Sequence, residues 1–138
     1  MSEEKLPVTL LAVFLGGCLG GAFRYLLGLL PGIGAWPLVT VFINTVGTGC
    51  LASLAAYMKQ RKDGLAYVQS FLGTGLLGGF TTFGALILEL DTLFVNRLFS
   101  SFFLLLAASL LLAFFSIWVG KKVGYLLARK TTGGHRHG

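Results

Sequence analysis

Charge is scarce in this sequence, and acid is scarcest: five Asp and Glu stand against eleven Lys and Arg among 138 residues, and charged residues make up 12% of the chain while hydrophobic ones make up 55%. An ordinary soluble domain carries roughly twice that charged fraction, so a water-facing surface on every side is excluded. The few carboxylates form no acid–base pair, and there is no Ser/His/Asp set and no H-E-x-x-H motif; an enzyme is not expected. Cysteine is equally thin. Cys18 and Cys50 lie inside apolar runs without C-x-x-C spacing, and they read as small buried hydrophobes rather than a disulfide or metal site. The two histidines, His135 and His137, fall in the glycine-rich terminus TTGGHRHG, where little order and no site are expected.

Long apolar runs are what the chain has in quantity, and its mean hydropathy is +0.82. A helix crosses a bilayer with about 20 apolar residues, and four such runs stand out, at 6–30, 37–58, 65–90 and 98–120. The connectors PGIGAW, KQRKDG and DTLFVNR are too short for a further domain. The expectation is one all-α transmembrane domain over 1–138, with 121–138 as a basic tail. The first run is longer than a signal-peptide core and lacks a basic flank or small-residue cleavage site, so it is read as a retained helix. No internal repeat is visible, and four helices are too few for the duplicated halves of many transporters. Any two-fold symmetry has to come from a second subunit.

The basic balance reads as topology rather than nucleic-acid binding. An even number of spans puts the N-terminus, the 59–64 loop and the tail on one side, and that side collects Lys5, Lys59, Arg61, Lys62, Lys121, Lys122, Arg129, Lys130 and Arg136 of the eleven cations. Arg97 alone falls opposite, and Arg24 lies within the first span. The positive-inside rule then puts both termini in the cytoplasm of a multi-pass protein of the plasma or inner membrane. Attraction of the tail to anionic lipid is a further consequence.

The stretch GTGLLG, 73–78, matches G-x-G-x-x-G literally, but the dinucleotide fingerprint needs a preceding strand in a βαβ unit, which a membrane span does not offer. Glycines recur with a different logic. Gly16, Gly17, Gly20 and Gly21 form two overlapping small-xxx-small patterns, Gly75 and Gly79 a third, and Gly120 and Gly124 a fourth. Such spacing packs membrane helices closely and by itself predicts a tight bundle, not a task.

Polar groups at membrane depth carry more information, because each is costly unless it meets a partner or a wet path. The candidates are Arg24, Thr40, Asn44, Thr45, Thr48, Thr81, Thr82 and Ser109, with Glu89 near the end of a span. Thr and Ser satisfy themselves on the preceding turn of their own helix. Asn44 does so less readily, and its amide reads either as an interhelical bond or as a group lining a pathway. Arg24 lies about 27 Å along the first helix from its start, where its charge either snorkels to solvent or makes an outer vestibule positive. The segment GGFTTFGALILEL, 78–90, is the oddest: it puts two glycines and two adjacent threonines inside a span, where backbone groups most need their helical partners.

Taken together, GGCLGGAFRY at 16–25, PLVTVFINTVG at 37–47 and GGFTTF at 78–83 resemble the small four-helix fluoride channels of the Fluc, or CrcB, family, in order and over nearly the whole chain. That resemblance implies a third helix broken near the membrane centre, at 78–82, and an antiparallel, dual-topology dimer with two pores along its interface. It implies a structural Na+ at the dimer centre, held by the carbonyls of Gly78 and Thr81 from each subunit. Pore roles carry over to Asn44, Thr82, Phe83 and Ser109, with Arg24 at the vestibule. The implied activity is passive, fluoride-selective export of cytoplasmic fluoride, which lowers its toxicity. Such residues suit the task physically. A bare anion in a low-dielectric medium costs on the order of 20 kcal/mol by the idealised Born estimate, so amide and hydroxyl donors have to replace water, and the positive edge of the Phe83 ring adds to them.

The chain departs from the family pattern in one region. Gly84, Ala85 and Leu86 follow TTF where the family has Ser-Thr-Phe, Leu105 stands in place of a tyrosine, and Ala113 in place of a serine; Glu89 matches. The missing groups, with the one-sided Lys/Arg distribution, suggest as an alternative a poorly conducting or structural subunit of a heterodimer with an oppositely oriented homologue. A small multidrug-type four-helix transporter is the remaining class, but its chemistry needs a carboxylate in the first helix, and residues 6–30 contain none.

Overall fold

The computed structural model describes residues 5–29, 37–60 and 66–133, and everything described is helix or short connection, without a strand. The elements are α1 (Lys5–Gly28), α2 (Pro37–Gln60), α3 (Ala66–Val68), a π-helical segment (Gln69–Leu77), α4 (Gly78–Phe80), α5 (Phe83–Val95) and α6 (Phe99–Gly133). Among the described residues four stretches are long and apolar enough to cross a membrane: Lys5–Gly28, Leu38–Gln60, Ala66–Val95 and Phe99–Lys130. These match the four runs expected from hydropathy, with two differences of extent. The third stretch continues to Val95 rather than ending near 90. The fourth helix does not stop at 120 but runs on to Gly133 through KKVGYLLARK, because nothing there breaks a helix and Val123, Leu126 and Leu127 keep an apolar stripe.

The bundle is two parallel pairs, each zipped by glycine. On the first pair, a Cβ built on Gly16 would strike the Phe71 carbonyl oxygen and lie 2.8 Å from Leu76 N, and one on Gly20 would strike the Leu76 carbonyl and lie 2.8 Å from Phe80 N. In return, a Cβ on Gly75 would stand 2.8 Å from the Val13 carbonyl, and one on Gly79 2.6 Å from that of Gly17. The two backbones touch, and no side chain fits between them. At Gly17 and Gly21 an added Cβ meets nothing within 4 Å, so of the two overlapping patterns in α1 only Gly16/Gly20 presents its missing side chains to the interface. The π segment explains the register. A four-residue step on α1, 16 to 20, faces a five-residue step, 71 to 76, and a helix bonded i to i+5 brings residues five apart onto one face.

The second pair is α2 with α6. Gly120 sits against the Gly49 carbonyl and Gly124 against that of Ser53, and the Ser116 hydroxyl donates to the Thr45 carbonyl at 2.5 Å. A small core of Val41, Leu90 and Leu105, with Leu86, Leu93, Phe102 and Leu106 around it, ties α2, α5 and α6 together. Between α5 and α6 the chain turns through a Schellman motif: Leu98 N–H donates to the Leu93 carbonyl and Arg97 N–H to that of Phe94, with Arg97 in the left-handed region at φ 58. Much of the described surface along the spans is apolar; Phe42, Leu104 and Phe114 are each about two-thirds exposed or more, at 67%, 72% and 70%. Lipid or another subunit is the only solvent such a surface suits.

Candidate functional site

Between α4 and α5 the chain leaves helical geometry for two residues. Thr81 has φ −80 and ψ 150, and Thr82 has φ −147 and ψ 118, both extended. Glycines at 78 and 79 weaken the helix before them. Thr81 closes that last turn twice, its N–H and its hydroxyl each donating to the Leu77 carbonyl at 3.0 Å. Thr82 opens the next helix as an N-cap, its Oγ1 accepting from Ala85 N–H at 3.2 Å.

The peptide of Thr82 is clamped by one amide. Asn44 Nδ2 donates to the Thr82 carbonyl at 2.9 Å, and Thr82 N–H donates to Asn44 Oδ1 at 2.7 Å. This reciprocal pair fixes which way the amide faces, and it spends the Asn44 acceptor and one of its N–H groups on backbone. Gly47, one turn further along α2, lets the helix come this close: a Cβ there would run into Thr81 Cγ2 and lie 3.3 Å from the Phe80 ring.

These bonds leave two carbonyls without their helical donors. In an unbroken helix Thr82 N–H would serve the Gly78 carbonyl and Ala85 N–H that of Thr81. Here the first goes to Asn44 and the second to the Thr82 side chain. Among the described residues no group of three or more His, Cys, Asp and Glu is arranged to hold a metal. Freed carbonyls suit a hard, small ion.

A second contact lies seven residues along α5. Thr40 Oγ1 donates to Glu89 Oε1 at 2.5 Å, while Glu89 Oε2 is buried without a hydrogen-bond partner among the described residues. Thr40, Asn44 and Gly47 stand at i, i+4 and i+7, so one stripe of α2 braces Thr82 and Glu89 in turn. Sequence reasoning marked both Thr40 and Glu89 as polar residues but did not pair them; the i, i+4 spacing of Thr40 and Asn44 was the signal. Thr40→Val is expected to lower stability by about 1–3 kcal/mol, since it strips a half-buried carboxyl group of its donor. Thr40→Ser should keep most of it, and thermal unfolding in detergent compares the two.

The remaining sequence candidates lie apart from this clamp. Phe83 opens α5 and is 75% exposed, its ring free of the chain's own core. Ser109, on α6, donates to the Leu105 carbonyl of its own helix at 2.7 Å. Arg24, on α1, is half-buried, and its Nε has no partner among the described residues. The structure therefore brings Asn44, Thr81, Thr82 and Gly47 together with Phe83 adjacent, and it joins neither Ser109 nor Arg24 to them by a hydrogen bond.

Residues 11–121 match the model of a family described as "CrcB-like protein, Camphor Resistance (CrcB)". The chain is 38% identical over 122 residues to the fluoride-specific ion channel FluC 2 of Ligilactobacillus salivarius, covering 84% of this chain and 88% of that one. It is 39% identical over 128 residues to the fluoride-specific ion channel FluC of Caulobacter vibrioides, covering 88% and 95%, and 36% identical over 118 residues to that of Paracoccus denitrificans, covering 84% and 94%.

Proposed function

The chain belongs to the CrcB family, and we propose that it is a passive, fluoride-selective ion channel that lets fluoride leave the cytoplasm and so lowers its toxicity. The observation that carries this reading is the 36–39% identity to relatives named fluoride-specific ion channels, and the family match over residues 11–121 spans all the elements that build the Thr81–Thr82 site. No proton coupling, ATP or organic cofactor enters. The protein is a multi-pass membrane protein, and the one-sided cations support an orientation of this chain with both termini in the cytoplasm.

In this reading the extended pair Thr81–Thr82 lies near the membrane centre, where two subunits of the same fold cross in opposite orientations. Non-helical backbone at that depth is tolerable when it is buried in protein or ligated. The Gly78 and Thr81 carbonyls, freed of their helical donors by Asn44 and the Thr82 hydroxyl, fit a structural Na+ shared between the subunits. Bound there, the ion would offset the carbonyl dipoles of two crossing chains. Fluoride passes beside the crossing along Phe83, Thr82, Asn44 and Ser109, with Arg24 drawing anions to the mouth. Asn44 has one N–H left to offer after clamping Thr82, and the Ser109 hydroxyl can rotate from the Leu105 carbonyl toward an anion. Phe83 supplies a positive ring edge. Each contact is weak, as throughput demands, because an ion bound too well does not leave.

The test is fluoride efflux from liposomes containing the purified chain. Flux should follow the fluoride gradient and ignore the proton gradient. Phe83→Ile should slow it about tenfold, the upper value of one aromatic contact. Fluoride movement that requires a proton gradient would replace the channel reading with a transporter. Absence of flux both from the chain alone and from its mixture with an oppositely oriented homologue would remove the conducting role.

A further inference from the structure

α6 is longer than a bilayer requires. Its 35 residues span about 52 Å, against a hydrocarbon core of about 30 Å. Counted from Phe99, that thickness is used up near Trp118, about 29 Å along the helix, and Trp is the side chain that settles at membrane interfaces. Lys122, one turn further, holds its ammonium 3.6 Å from the centre of the Trp118 ring. The cation–π contact fixes a positive charge at the depth of lipid headgroups.

Beside it lies a cavity of about 400 Å³ lined by Gln60, Lys122, Tyr125, Leu126 and Arg129. No acid is among these lining residues. Lys122, Tyr125, Leu126 and Arg129 stand at i, i+3, i+4 and i+7 and share one helix face. Helical side chains lean toward the N-terminus, so the Arg129 guanidinium reaches back toward the boundary that Lys122 marks. The cavity combines two cations, a phenol, an amide and one apolar wall. That chemistry matches a phosphodiester with a hydroxylated or charged head and an acyl chain alongside.

We propose that the notch between the end of α2 and the basic face of α6 binds one anionic phospholipid, its phosphate held by Lys122 and Arg129 with Tyr125 and Gln60 as hydrogen-bonding neighbours. The site is distinct from the general pull of a basic tail on a negative surface, because Lys121 and Lys130 of the same helix do not line it. It rests on the membrane placement of α6 and not on fluoride conduction.

The test uses the full chain reconstituted in equimolar phosphatidylglycerol and phosphatidylcholine vesicles, extracted mildly, with co-purifying lipid counted by native mass spectrometry. Retained phosphatidylglycerol should exceed phosphatidylcholine by about thirtyfold, the size expected for two interfacial cations. The pair Lys122→Gln with Arg129→Gln should bring the ratio below about threefold. The pair Lys121→Gln with Lys130→Gln, which removes the same charge from other faces, should leave it unchanged. Equal losses from both pairs would mean a diffuse field and overturn the site. Displacement of the lipid by excess inorganic phosphate would overturn it too, assigning the notch to a solution anion. Fluoride flux measured on the same samples separates this outcome from failure of the channel reading, since neither pair touches the pore.

Discussion

Asn44→Asp is expected to cut fluoride flux by about two orders of magnitude while leaving helical content unchanged. Aspartate keeps the shape of asparagine and its acceptor for Thr82 N–H, so only the Nδ2 donor is exchanged for an oxygen. That donor lies 2.9 Å from the Thr82 carbonyl. Its loss sets two acceptors face to face, and an unpaired buried acceptor costs about 1–3 kcal/mol before any repulsion is added. Asn44→Ala tests the other half of the clamp. Without Oδ1, Thr82 N–H can return to the Gly78 carbonyl, and the chain gains a helical bond where the proposed cation site needs a free oxygen. Flux should fall in this variant too, and any dependence of dimer stability on sodium should weaken with it. Asn44→Asp flux within twofold of the parent would show that the clamp does not govern permeation.

Gly20→Val should prevent the bundle from assembling, whereas Gly21→Val, one residue on, should be tolerated. A Cβ at position 20 would occupy the place of the Leu76 carbonyl and stand 2.8 Å from Phe80 N. Both neighbours are backbone and cannot swing away, so the two helices must separate, at about 3 kcal/mol or more. The separation would also carry the π segment, and with it Thr81 and Thr82, away from Asn44. At position 21 the same Cβ meets nothing within 4 Å. The monodisperse fraction of each variant after extraction reads the difference. Equal yields from the two would mean that α1 and the π segment do not touch as described.

Several features of the site were legible as residue types but not as pairs. Asn44 stood out because an amide inside a span needs a partner, yet nothing in PLVTVFINTVG names Thr82 as that partner. Thr40 and Glu89 are 49 residues apart, and their hydrogen bond depends on how α2 crosses α5. The resemblance of GGFTTF to a known break pointed to 78–82, and the extended dihedrals fall on Thr81 and Thr82. Ser109 was expected as an anion donor, and the folded chain gives its hydroxyl to its own helix, the local satisfaction available to any serine in a span.

By itself the sequence determined four apolar crossings, an uneven placement of cations and a short inventory of polar groups at depth, because hydropathy and charge act residue by residue along the chain. Only the tertiary structure decided which glycines face a neighbour, that Gln69–Leu77 widens into a π turn, and that one amide holds both polar groups of the Thr82 peptide. Those choices depend on the register between helices. A shift of one residue turns a helix face by about 100°, which exchanges Gly20 for Gly21 and leaves Asn44 facing elsewhere.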